Sequence, residues 1–199
     1  MPSNNYIYKM SNAGGFKSLN RYYDMLAGNA AFVDSSYESI ATTTVGAGGT
    51  SNISFTSIPA TYTHLQIRGI GKQATTTANG PSLYYNGVST GTSYAFHNLY
   101  GDGANAFANA FASQPYDSSM SLIGNGSNFT AFVIDILDYA NTNKYKTTRA
   151  LTGLDANGSG QIYLHSNVFM SNNAISQIDI FNGYVWQQYT QFALYGIKG

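Results

Sequence analysis

From residue 36 to the C-terminus the apolar and polar positions follow the pattern of strands. In the stretch 37–72, Ile40, Val45, Ile53, Phe55, Ile58, Leu65, Ile67 and Ile70 supply the apolar positions. The runs ISF and LQI alternate apolar with polar, the period of a half-buried strand. Thr42, Thr43 and Thr44 are β-branched and suit a pleated surface. Gly46, Gly48 and Gly49 break the run, and Pro59 ends the next one because it cannot donate to a ladder. Three consecutive strands forming one antiparallel unit are predicted here.

Further along, SLYY precedes the tight-turn pair Asn86-Gly87. TSYAFHNLYG is strand-like. The Gly/Ala/Asn-rich segment 101–117 carries Phe107 and Phe111 at four-residue spacing, which predicts either a helical turn or an ordered surface loop. Phe132 to Leu137 is the most continuous apolar run and predicts a central strand, with Phe132, Ile134 and Ile136 facing inward. KYKTTRALTGLD should pair with it, placing Lys144, Lys146 and Arg149 near Asp135 and Asp138. QIYLHSNVFM, ISQIDIFNG and QFALYGIKG complete the set. Eight to ten strands joined by turns, without alternating helices, predict an all-β antiparallel β-sandwich, with a jelly roll the first choice.

The first 35 residues have a different pattern. Residues 16–27, FKSLNRYYDMLA, are the one segment whose pattern predicts a full helix: Phe16, Leu19, Tyr23 and Leu26 form a stripe, and Gly28 stands in the C-cap position. Twelve residues are marginal for a helix alone in water, so the stripe needs a cover. The division is therefore 1–35, an arm with one short helix, and 36–199, the β domain. Phe16, Leu19, Tyr23 and Leu26 are the candidate contacts to a particle or a neighbouring subunit, with the chain's own sheet as the rival cover.

Composition narrows the function classes. Only 9% of the 199 residues are charged, against roughly a quarter in an ordinary soluble domain. Nine basic and nine acidic residues cancel, so no basic footprint for nucleic acid or an anionic membrane is present. Little self-repulsion and 17 tyrosines suit a chain that packs against others. The absence of cysteine removes disulfide, thiolate and Cys-based metal chemistry. The start, MPSNNYIYKMSNAGG, predicts no signal peptide, and no apolar run reaches the length of a membrane span.

Candidate chemistry is sparse. His64, His97 and His165 are scattered among different strands, without a local nucleophile and orienting acid. Asp155-Ala-Asn157-Gly-Ser159-Gly160 opens like a calcium loop, but Ser166 stands where the bidentate Glu belongs, and a turn is predicted instead. Gly69-Ile-Gly71 lacks the following helix of a dinucleotide loop. Trp186, the one tryptophan, predicts either a packing anchor at the end of the sandwich or a stacking platform for a sugar. No catalytic, cofactor or metal residues are expected.

Residues 36–71, SYESIATTTVGAGGTSNISFTSIPATYTHLQIRGIG, resemble a group of tailed-bacteriophage virion proteins found in phages of cyanobacteria and other aquatic bacteria. The lead-in SNAGGFKSLNRYYDMLAGNAAF and the terminal QFALYGIKG share the likeness. The resemblance implies a non-enzymatic structural protein of the virion, assembled in the host cytoplasm, with a jelly-roll-like sandwich. It implies a homo-oligomer, a trimer, seated on the major capsid protein or another virion protein. Capsid decoration or cement protein is the first expectation; a tail appendage or a receptor- or carbohydrate-binding module is the alternative.

Overall fold

In the computed structural model, the described residues are 36–75, 80–121 and 123–199. The expected arm 1–35, its helix and the stripe Phe16, Leu19, Tyr23 and Leu26 lie outside them. The chain divides into two units, Met1–Ser35 and Ser36–Gly199, and the described residues belong to the second.

That unit is all-β. Twelve strands run in order: β1 Tyr37–Thr44, β2 Thr50–Phe55, β3 His64–Gln73, β4 Ser82–Tyr85, β5 Tyr94–Gly101, β6 Ala106–Gln114, β7 Gly124–Asn125, β8 Thr130–Leu137, β9 Lys146–Asp155, β10 Gly160–Phe169, β11 Ile178–Trp186 and β12 Gln191–Ile197. The main path is β1-β12-β3-β8-β9-β10-β5-β6. Off it, β11 pairs with β2 and β4 and touches the end of β3. All pairings are antiparallel except the two-residue β7, which lies parallel to β3.

The three opening strands form as expected, but not as one unit. β1 and β3 flank the C-terminal strand β12 on either side, and β2 leaves to join β11. Long-range partners override local hairpin pairing because β12 offers an apolar inner face to both neighbours, with Phe192 and Leu194 fully buried.

β8 through β10 form a meander, with the turn expected from DANGSG between β9 and β10. Asp135 faces Arg149 across β8 and β9, and Arg149 donates to its carboxylate at 2.9 Å. Asn157 and Gly158 take positive φ in the β9–β10 turn, which Ala156 N–H closes onto Ser159 O at 2.7 Å. The DANGSG segment is a turn.

The inner faces meet in one core. Phe132, Ile134 and Ile136 of β8 are buried as expected, together with Leu65 and Ile67 of β3, Ile53 and Phe55 of β2, Leu83 of β4, and Ile178 and Ile180 of β11. Trp186 is fully buried among them, edge-on to Phe132 and Phe192, and donates its indole N–H to Ile180 O at 3.4 Å. The two glycines of Gly69-Ile-Gly71 make room for these rings. A Cβ on Gly71 would stand 2.6 Å from the indole, and one on Gly69 would run into Phe192.

Two buried polar pins hold the core to its loops. Asp117, fully buried, accepts from Tyr85 Oη at 2.9 Å and Asn167 Nδ2 at 2.8 Å, and from the backbone and hydroxyl of Ser119. Burial pushes its carboxyl above the ordinary range, against the pull of those donors. Lys146 Nζ donates to the carbonyls of Asn141, of Lys144 at 2.9 Å and of Asn172 at 3.3 Å, tying the β8–β9 turn to the β10–β11 loop. Burial, aided by the neighbouring Lys144 charge, lowers its pKa.

Candidate functional site

Segment 101–117 contains a strand, neither a helical turn nor a loop. Gly101-Asp102-Gly103 turns the chain, and β6 runs back along β5. Asp102 organises the turn by accepting the N–H groups of Asn105 at 2.7 Å and Ala104 at 2.9 Å, and these amides hold its carboxyl below the ordinary range. Phe107 and Phe111, spaced by four, share a face in a strand as readily as in a helix. The large-small alternation Phe107-Ala-Asn109-Ala-Phe111 is the signal that decides for a strand.

β6 is the end of the main path, and among the described residues it pairs with β5 alone. Ala106 through Ser113 are exposed on both faces. No residue of β6 is charged. At the opposite end of the path, β1 carries Glu38, which binds Lys198 at 3.0 Å and Tyr62 Oη at 2.9 Å.

On the inner face, the cross-strand row Phe132–Thr152–Tyr163–Tyr100–Phe107 runs from β8 to β6. Its first two members are buried, its next two partly so, and Phe107 is 38% exposed. Tyr163 and Tyr100 stack at 4.6 Å between ring centroids, and Tyr100 and Phe107 at 4.7 Å. The neighbouring row ends on Phe96 and Phe111, 4.9 Å apart, with Phe111 44% exposed.

The outer face carries an apolar band. Val133, Leu151, Leu164, Leu99 and Ala108 stand in register across β8, β9, β10, β5 and β6. Leu99, Leu151 and Leu164 are each about half exposed, and Ile162 beside them is 58% exposed. An open groove runs between this leucine wall and Ala108 and Ala110. The next row, Asp135–Arg149–Ser166–His97–Ala110, is polar except at its edge.

The titratable residues singled out by sequence do not converge. His64 accepts the Asp138 N–H at 3.0 Å on its Nδ1. Asp138 is paired with Lys144, whose ammonium, aided by His64, holds its carboxyl low. His97 is exposed on the outer face. His165 is buried beneath the Tyr163 ring, and burial lowers its pKa to about 4. Among the described residues, no three His, Asp or Glu side chains gather in a metal-binding geometry. Trp186, buried, presents no stacking surface.

What the arrangement can do is present surface: an uncharged edge strand, a stacked aromatic row on one face and an apolar band on the other. Comparison with family models, with curated proteins and with solved structures finds no match to this chain.

Proposed function

We propose that this protein is a non-enzymatic structural component of a tailed-bacteriophage particle, and within that class a capsid decoration or cement protein stabilising the head. The observation that carries the reading is the β5–β6 wing, whose contiguous exposed apolar surface suits repeated contact with neighbouring proteins. The resemblance of residues 36–71, their lead-in and QFALYGIKG to virion proteins supports the same class.

In this reading residues 36–199 are a jelly-roll-like sandwich. The main path is one layer and β2, β11 and β4 are the other, an assignment supported by the single core they share. Residues 1–35 are the attachment arm, with Phe16, Leu19, Tyr23 and Leu26 as its contacts to the major capsid protein or another virion protein. Copies form a closed homo-oligomer; the trimer comes from the resemblance alone.

Deleting residues 1–28 tests the arm. The truncated protein is expected to fold and to lose particle binding; binding at full occupancy overturns the attachment role. Heads assembled without the protein are expected to break open at lower temperature than complete heads. Equal heat resistance rules out cementing, and antibody label on tails instead of heads selects the appendage.

One observation favours a second reading. The partly exposed row Tyr163, Tyr100 and Phe107 is a platform on which a sugar can stack. A glycan array of the purified protein checks it: binding lost in Tyr100→Ala supports a carbohydrate-binding module, and a blank array removes it.

A further inference from the structure

The edge strand has a symmetry of its own. Residues 106–112 read Ala-Phe-Ala-Asn-Ala-Phe-Ala in either direction, with Asn109 at the centre. The palindrome coincides with the regular part of β6, since the register with β5 shifts just beyond Phe111 and Ser113 takes φ 57°. We infer that β6 pairs antiparallel with β6 of a second copy, about a two-fold axis through Asn109.

The backbone is poised for this. Asp102 N–H donates to Asn105 O at 3.2 Å, which marks 102/105 as a hydrogen-bonded pair of the β5–β6 ladder. Alternation then directs the backbone groups of Phe107, Asn109 and Phe111 toward β5, and those of Ala106, Ala108, Ala110 and Ala112 toward the open edge. Pairing about Asn109 sets Ala108 against Ala110 of the second copy and Ala106 against Ala112. Each edge-facing N–H and C=O thereby meets its counterpart.

The side chains agree with that register. On the inner face Phe107 of one copy stands beside Phe111 of the other, so the row Tyr163–Tyr100–Phe107 continues through Phe111 and Phe96 of the second copy. Cross-strand aromatic pairs favour this alignment. On the outer face only alanine methyls meet, so nothing clashes, and the leucine walls of the two copies flank the seam. The strand carries none of the devices that keep edges apart: no lysine, no inward charge, and no proline before Pro115. A heterologous partner gives no reason for the palindrome, whereas an isologous contact requires self-complementarity.

This contact sharpens the oligomer part of the proposed function, setting a two-fold dimer in place of the trimer that the resemblance alone implies, and rests on that reading for its use on a particle. The absence of native cysteine gives a direct test on the full chain. In Asn109→Cys the introduced thiol meets its own symmetry mate in a non-hydrogen-bonded pair, where Cα atoms lie about 4.5 Å apart, within disulfide reach. Rapid formation of a covalent dimer under mild oxidation is expected. Ala106→Cys, which faces residue 112 of the second copy, should lag by roughly tenfold or more, about 1.4 kcal/mol in effective encounter. Ala110→Pro removes one edge-facing N–H and leaves the β5 ladder intact. It should convert the dimer seen by sedimentation to monomer with an unchanged circular dichroism spectrum. Equal crosslinking of the two cysteine variants overturns the contact, as does a trimer mass, because an isologous contact closes at two. Crosslinking at 109 only after removal of residues 1–28 assigns the edge to the arm and also overturns it. An oligomer that does not crosslink at 109 rejects this contact while leaving the structural role standing. A crosslinked dimer missing from purified particles supports the contact and rejects the virion role.

Discussion

The covered half of the sheet and its β5–β6 wing are built from the same alternation, yet they end in opposite environments. The inner rows make the comparison within single lines of residues. Ile136–Thr148–Asn167–Phe96–Phe111 begins fully buried on β8 and ends on an exposed ring at β6. Where Ile53, Leu83 and Ile180 lie within the same core, a row is hydrophobic interior. Where the row runs past that cover, the same kind of side chain becomes surface. A period of two therefore fixes which residues share a face, and what packs against that face decides what it is for.

Substitution should separate the two halves sharply. Ile134→Ala, in the covered half, removes a fully buried side chain and is expected to cost about 2–5 kcal/mol by urea titration. Phe107→Ala on the wing should cost the isolated chain about 0.5 kcal/mol or less. Similar losses at the two positions would erase the distinction.

The border between the halves has a titratable marker. His165 is neutral in the folded protein because its pKa is lowered to about 4, while the unfolded side chain takes a proton near pH 6.5. The unfolded state therefore binds more protons between these values, and stability falls as pH drops from about 6.5 to about 4. The full effect is about 3 kcal/mol. His165→Gln should flatten that part of the stability curve. An unchanged slope would place His165 in contact with water and move the border toward β9.

Lys146 sharpens the covered side. Lys146→Met strands the carbonyls that its ammonium serves and is expected to cost about 1.5–3 kcal/mol by thermal unfolding. A smaller effect than that of Lys146 belongs to the outer face. Arg149→Gln breaks an exposed pair with Asp135 and should cost under about 1 kcal/mol, fading in high salt.

Much of this was readable from residue order. The inward set Phe132, Ile134 and Ile136, the Asp135–Arg149 pairing and the DANGSG turn followed from parity, charge and turn chemistry. Partners distant in sequence were not readable: β12 between β1 and β3, or β2 joined to β11, depends on which apolar faces meet. β6 escaped for a local reason. Phenylalanines four apart satisfy both periods, and alanine favours helix, so propensity masked a strand fixed by the Asp102 turn and by β5. Trp186 was legible as an anchor, but its complete burial depends on the seat that Gly71, on a strand far away in sequence, leaves for the indole.

Hydrogen exchange of the intact protein over a dilution series tests most directly whether the wing is a contact surface and the covered half a self-sufficient core. The edge-facing amides of Ala106, Ala108 and Ala110 should be protected at high protein concentration and exchange freely on dilution, as the two β6 strands part. The amides of Phe132, Ile134 and Ile136 should stay slow at every concentration. Exchange in β6 that is equally fast across the whole series would contradict the account, because the exposed edge would then have no second copy to cover it.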